Sequence, residues 1–123
     1  MKNPTRLLQI VILIAFTVMF SCKKDSDNTC NVSNPAEDLA WLKNTIEDLK
    51  SLPDGGMYSY ISMAMYNGET VFLMGYCNPA ANYVTPVFNC SGDSIGLIGE
   101  ISMDSLTDQQ VIWKSENSLC ISR

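Results

Sequence analysis

The sequence predicts an α+β domain in which one N-terminal helix packs on an antiparallel β-meander of four or five strands. Three observations point there. A segment opening on Asn34-Pro35-Ala36-Glu37 carries Leu and Ile at helical spacing. Two alternating, aromatic-rich runs flank Asn67-Gly68, the dipeptide best suited to a two-residue hairpin. Further short β-prone runs follow, separated by Gly, Asn and Ser turns, with no internal repeat and no second domain.

The helix is expected over residues 35–51. Asn34 stands as the capping residue, Pro35 occupies the first helical position, and Glu37 lies three residues after the cap. Leu39, Leu42, Ile46 and Leu49 form one stripe, while Glu37, Lys43, Asn44, Glu47 and Lys50 occupy the other faces. Trp41 lies off the centre of that stripe, as core margin or as a partner contact, with core margin the favoured reading. Pro53-Asp54-Gly55-Gly56 then turns the chain.

Strands are expected over residues 57–66 and 69–77. A type I′ turn at Asn67-Gly68 sets Tyr66 opposite Glu69, and from there Ala64 opposite Val71, Met63 opposite Phe72, Ile61 opposite Met74 and Tyr60 opposite Gly75. One face then carries Ile61, Met63, Phe72 and Met74, suited to receive the helix stripe. The other carries Tyr58, Tyr60, Ala64, Tyr66, Val71 and Leu73, also apolar, and one helix cannot cover both. Residues 77–82 read as a loop and residues 83–89 as a third strand, which Pro86 places at an edge or a bulge. Residues 91–94 read as a turn, and residues 95–101 as a fourth strand weakened by Gly96 and Gly99. Residues 102–109 follow as a polar connection or single helical turn, and residues 111–114 as a short last strand.

Ahead of this domain, Lys2 and Arg6 precede an apolar run over residues 7–20, broken only by Gln9 and Thr17, and then Ser21-Cys22. This is the pattern of a secretory leader, too short for a span and followed at once by polar residues. Met19-Phe20-Ser21-Cys22 resembles the lipobox of bacterial lipoproteins. That resemblance implies cleavage after residue 21, acylation of Cys22, a tether over residues 22–33 and a domain over residues 34–123. Several acyl chains, at about 0.8 kcal/mol per buried methylene, give lasting attachment. The run Lys23-Lys24-Asp25-Ser26-Asp27 resembles the signal that sends some Gram-negative lipoproteins to the outer face of the outer membrane, so the expected location is the cell envelope, anchored at the outer membrane and facing the periplasm or the exterior. A secretory leader with an incidental Cys is the alternative.

The residues of the domain carry a second resemblance. The segments Ala40-Trp41-Leu42-Lys43, Tyr66-Asn67-Gly68, Val71-Phe72, Asn89-Cys90-Ser91-Gly92-Asp93 and Ile112-Trp113 are together similar to a group of small, uncharacterised bacterial envelope lipoproteins, over residues 38–113. The resemblance implies fold and address, and brings no activity with it.

Composition excludes several functions. The chain has no His, so Ser-His-Asp and Cys-His mechanisms and His-based zinc sites are absent. With 13 acidic against 8 basic residues it is no candidate for nucleic acid. Setting Cys22 aside leaves Cys30, Cys77, Cys90 and Cys120, an even number that reads as two disulfides in an oxidising compartment. Of the three pairings, Cys77 with Cys90 and Cys30 with Cys120 is favoured. No CxxC spacing supports a metal or redox role, and no cofactor is expected. Glu69, Asp93 and Glu100 near strand ends are the residues a carboxylate-dependent hydrolase would draw on, without supporting signature. Asp104, Ser105 and Asp108 lack the ligand order of a calcium loop.

The expected function is therefore a non-catalytic binding or accessory module for a protein or glycan. Its contact face would be Tyr58, Tyr60, Tyr66, Val71 and Leu73, since aromatic amphipathic surface is what interfaces favour. A covering second layer is the competing account of that face, and an envelope hydrolase or a purely structural component are the alternative functions.

Overall fold

The computed structural model describes residues 30–120. The expected leader, the expected lipidation site Cys22 and the expected tether as far as residue 29 lie outside the described residues. The fold is α+β, with helices preceding a five-stranded antiparallel sheet.

The helical segment is two helices, α1 (Pro35–Asp38) and α2 (Ala40–Lys50), because Leu39 takes an extended conformation (φ −86°, ψ 109°). The cap at Asn34 also differs from expectation. Its side chain caps nothing, and the Asp38 carboxylate, rather than that of Glu37, accepts the Asn34 N–H at 2.9 Å. Leu39 then serves as the cap of α2, its carbonyl accepting the Lys43 N–H at 2.9 Å. The break re-phases the chain, so that Leu39 and Trp41 as well as Leu42, Ile46 and Leu49 reach the sheet.

Strands β1 (Ser59–Tyr66) and β2 (Glu69–Tyr76) pair in the register read from the turn, Tyr60 with Gly75 through Tyr66 with Glu69. Asn67 (φ 50°) and Gly68 (φ 79°) both adopt the positive φ that a type I′ turn demands. β3 (Pro86–Phe88) is shorter than the run of β-prone residues around it, because Pro86 offers no N–H and serves as its first residue. β4 (Ser94–Leu97) ends in a turn closed by Leu97 O accepting from both Glu100 N and Ile101 N.

The last strand is the largest departure from expectation. β5 (Leu106–Lys114) begins after a 3₁₀ turn at Met103–Ser105 and takes in Thr107, Asp108, Gln109 and Gln110, which read as polar connection. It pairs with β1, giving the order β4-β3-β2-β1-β5, so the meander covers β1 to β4 and β5 crosses to the far edge. Polar composition suits that place, since an edge strand with solvent on one side has little apolar surface to bury. Two register shifts interrupt the pairing, with Asp108 at φ 53° beside one of them.

Each face of the sheet carries its own core. Under α2, Leu42 and Ile46 pack on Ile61, Met63 and Phe72, with Trp41, Met74, Phe88, Ile112 and Trp113 around them. Trp41 is thus core margin: it meets Phe72 edge-on at 5.5 Å and donates its indole N–H to Cys90 O at 2.9 Å. Gly92 leaves room for it, since a β-carbon there would lie 2.8 Å from the indole. On the opposite face, Ala64, Val71, Leu73 and Val87 pack under Ile98, Ile101 and Leu106, which belong to the β4–β5 connection and the start of β5.

The disulfides join Cys30 to Cys90 and Cys77 to Cys120, correcting the favoured pairing. Phe72 pairs with Phe88 and Leu73 with Val87, so the antiparallel β2–β3 ladder sends Cys77 and Cys90 to opposite ends of the sheet. Cys90 arrives at the hairpin end, its sulfur 3.8 Å from Thr70 O, where Cys30 meets it. Cys77 lies at the other end, where its N–H donates to Tyr58 O and the Cys120 sulfur lies 3.2 Å from the same oxygen. The first bridge also brings Cys30, expected in the tether, into the folded unit.

Candidate functional site

The five residues expected to form one contact face are not one surface. Val71 and Leu73 are 2% and 3% exposed, sealed beneath Ile101 and its neighbours, so neither can touch a partner. Tyr66 sits beside the hairpin, half-buried against the same cluster, with Leu106 as its register partner. Tyr58 and Tyr60 lie at the other end of β1, about 20 Å away by strand rise. Of the expected set, the fold leaves only Tyr58 and Tyr60 together.

Two residues that sequence reasoning passed over join them. Tyr76 stacks edge-on with Tyr58 at 6.0 Å and tilted against Tyr83 at 5.4 Å. Tyr83 hangs from the loop before β3, 46% exposed, and donates its phenol to Met74 O at 3.0 Å, satisfying a β2 carbonyl whose place in the register falls to Pro86, which has no N–H to offer. Burial, reinforced by the nearby Tyr60, pushes the Tyr83 phenol above its ordinary 10.0, so it is a neutral donor at physiological pH. Four of the chain's five tyrosines thus gather at the end of the sheet closed by Cys77–Cys120. Sequence reasoning places Tyr76 on neither face of the hairpin and reads Tyr83 as the start of a third strand, so neither is grouped with Tyr58. The signal was there in the charge pattern, because residues 70–92 contain no Asp, Glu, Lys or Arg.

Tyr60 is held by a packing device. Its ring lies over Gly75, its register partner, and any β-carbon on residue 75 would clash with its Cζ and both Cε atoms. Gly75→Ala is therefore expected to destabilise the fold by about 1–3 kcal/mol, the range for overpacking a filled site, and to reduce the near-ultraviolet tyrosine dichroism. A urea midpoint and dichroism equal to those of the parent protein would show the ring free to move aside.

The acidic residues weighed for hydrolysis give a different picture. Glu69, Asp93 and Glu100 are all exposed, and the Glu100 carboxylate accepts the Leu97 N–H of its own turn at 3.2 Å. Among the described residues, no three His, Cys, Asp or Glu side chains come together as a metal site would require, and no helix is long and apolar enough to cross a membrane. The chain matches no known protein family, no curated protein and no solved structure. Any functional reading thus rests on the chain's own residues, of which the tyrosine end is the most distinctive grouping.

Proposed function

We propose that the protein is a lipid-anchored module of the cell envelope, held at the outer membrane through Cys22, that binds a protein or glycan without catalysing a reaction. The observation that carries this reading is the gathering of Tyr58, Tyr60, Tyr76 and Tyr83 at one end of the sheet. Tyrosine supplies large, rigid, amphipathic contact area at small entropic cost, which is why binding surfaces favour it. Two disulfides fit the oxidising compartment that a leader and lipobox imply. Export on residues 1–21 and acylation of Cys22 follow from the resemblance to lipoproteins, and they put a helix-plus-sheet domain on the membrane behind a short tether.

Two measurements test it. Cells fed an alkyne-tagged palmitate are expected to label the protein, and Cys22→Ser is expected to abolish the label; a labelled Cys22→Ser protein would remove the anchor. Capture of a partner from envelope extract by the immobilised protein is expected to fail in the Tyr76→Ala/Tyr83→Ala double variant and to persist in Tyr66→Ala. That pair is the better probe than Tyr60, whose loss would uncover Gly75 and disturb packing. Capture indifferent to Tyr76 and Tyr83 would dissociate binding from this end of the sheet.

A further inference from the structure

We infer that the tyrosine end is a membrane-distal binding site for an uncharged polysaccharide. The inference rests on the anchored reading for its orientation, and on the chemistry of the site for its ligand.

Orientation follows from where the tether joins the fold. Between Cys22 and Cys30 the chain can extend no more than about 30 Å. Cys30 is locked by its disulfide to Cys90, beside Thr70 and therefore at the hairpin end of the sheet. From Thr70 the β2 strand runs six residues to Tyr76, about 20 Å. A domain tied to the membrane at the hairpin end carries Tyr58, Tyr60, Tyr76 and Tyr83 at the opposite end, where a partner outside the membrane meets them first.

The ligand class follows from charge and from the side chains present. The domain is strongly acidic overall, yet residues 55–68 and 70–92, which supply all four tyrosines, contain no charged residue. Asp54 borders the site, one oxygen of its carboxylate accepting the Gly56 N–H at 3.0 Å. Lys114, the register partner of Tyr60, and Glu116 two residues on are of opposite sign. The segments that carry the tyrosines thus offer no charge to an ionic ligand, while the acidity of the remainder repels anionic polymers. What the site offers is aromatic faces, phenol groups, and the amides of Asn78 and Asn82 in the same loop as Tyr83. Ring faces set at 50° and 64° to one another present a stepped surface to the apolar C–H faces of sugar rings, and phenols and amides exchange hydrogen bonds with hydroxyls. Val84 and Leu119, 57% and 61% exposed, flank that surface in sequence and through the Leu119 N–H bond to Met57 O, adding apolar area without charge.

The test uses the full-length protein, detergent-purified and oxidised, in gels cast with a neutral polysaccharide (dextran, starch or xylan) or an anionic one (alginate). Retardation is expected in at least one neutral gel, insensitive to salt between about 10 and 150 mM because no fixed charge takes part, and absent in alginate. Tyr83→Ala and Tyr76→Ala are each expected to weaken it about tenfold or more, the size of a hot-spot residue's loss, with Tyr66→Ala unchanged. No retardation in any neutral gel overturns the proposal, as does binding confined to alginate or binding that survives both substitutions. Capture of an envelope protein without polysaccharide binding overturns the ligand class and leaves the binding-module reading standing. The Cys22→Ser protein separates the two parts: it is expected to bind polysaccharide as the parent does, whereas only the anchored protein, on phospholipid vesicles, carries vesicles onto beads of whichever neutral polysaccharide retards it in the gel. Anchored vesicles that fail to bind while the soluble protein succeeds would overturn the membrane-distal placement.

Discussion

Reducing both disulfides is expected to unfold the protein at 37 °C, and losing either one is expected to cost about 4 kcal/mol. The estimate comes from the loops they close. Residues 60 and 43 apart in sequence are joined, and the entropy removed from the unfolded chain by loops of that length is worth about 4 kcal/mol each. Because Cys77 falls inside the Cys30–Cys90 loop and Cys90 inside the Cys77–Cys120 loop, the two constrain overlapping segments and their effects will not add in full. Against a total stability of about 5–15 kcal/mol for a domain, either loss is severe. The core has little reserve, split as it is into two small clusters on opposite faces of one sheet. Urea unfolding followed by fluorescence of Trp41 and Trp113 measures it, with Cys30→Ala/Cys90→Ala and Cys77→Ala/Cys120→Ala as separate variants. Midpoints that fall by less than the equivalent of about 1 kcal/mol would show that packing alone holds the fold. Peptide mapping without reductant checks the pairing itself: a Cys77–Cys90 peptide would contradict the β2–β3 ladder, which places those residues at opposite ends of the sheet.

The pairing illustrates what could be read ahead of the structure and what could not. Local chemistry was legible wherever one or two residues dictate backbone conformation. Asn67-Gly68 determines the hairpin, and the register of every β1–β2 pair follows from it. Pro35 and the Leu/Ile stripe marked the helical segment, though not the extended Leu39 that divides it, since no residue there disfavours helix strongly. What escaped was set by contacts distant in sequence. The polar first half of β5 has no alternation because it lies at an edge, and its partner is the first strand rather than the fourth. The same crossover delivers Ile98, Ile101 and Leu106 onto Val71 and Leu73, and so removes from the surface two residues that the hairpin alone would expose. Tyr83 comes against Tyr76 where Pro86, in register with Met74, has no N–H to offer, which leaves the Met74 carbonyl for the Tyr83 phenol.

Phe72→Ala is expected to destabilise the protein by about 3–5 kcal/mol, the range for truncating a fully buried phenylalanine. Phe72 is fully buried at the centre of the helix-facing cluster, with Leu42 and Ile46 above it, Ile61 and Met63 beside it, and Trp41 edge-on at 5.5 Å. Its removal opens a cavity that α2 cannot close, because Trp41 is tied by its indole N–H to Cys90 O and, through Cys90, by the disulfide to Cys30. The cost should appear as a lower urea midpoint at unchanged slope, the sign that stability rather than the compactness of either state has changed. A loss under about 1 kcal/mol would mean that the helix relaxes onto the sheet and that the disulfide does not hold it off. The double variant Trp41→Ala/Phe72→Ala is expected to fall short of the summed single losses by about 0.5–1.5 kcal/mol, the worth of the aromatic pair. Phe72→Leu, a smaller change of volume at the same place, separates stability from recognition. It acts at the middle of β2, while Tyr76 and Tyr83 stand at its end, so the variant should unfold earlier than the parent and still bind polysaccharide as the parent does. Loss of binding in a folded Phe72→Leu protein would show that the tyrosine end takes its arrangement from the helix-facing core, and not from Gly75, the Met74 carbonyl and the Cys77–Cys120 bridge that surround it.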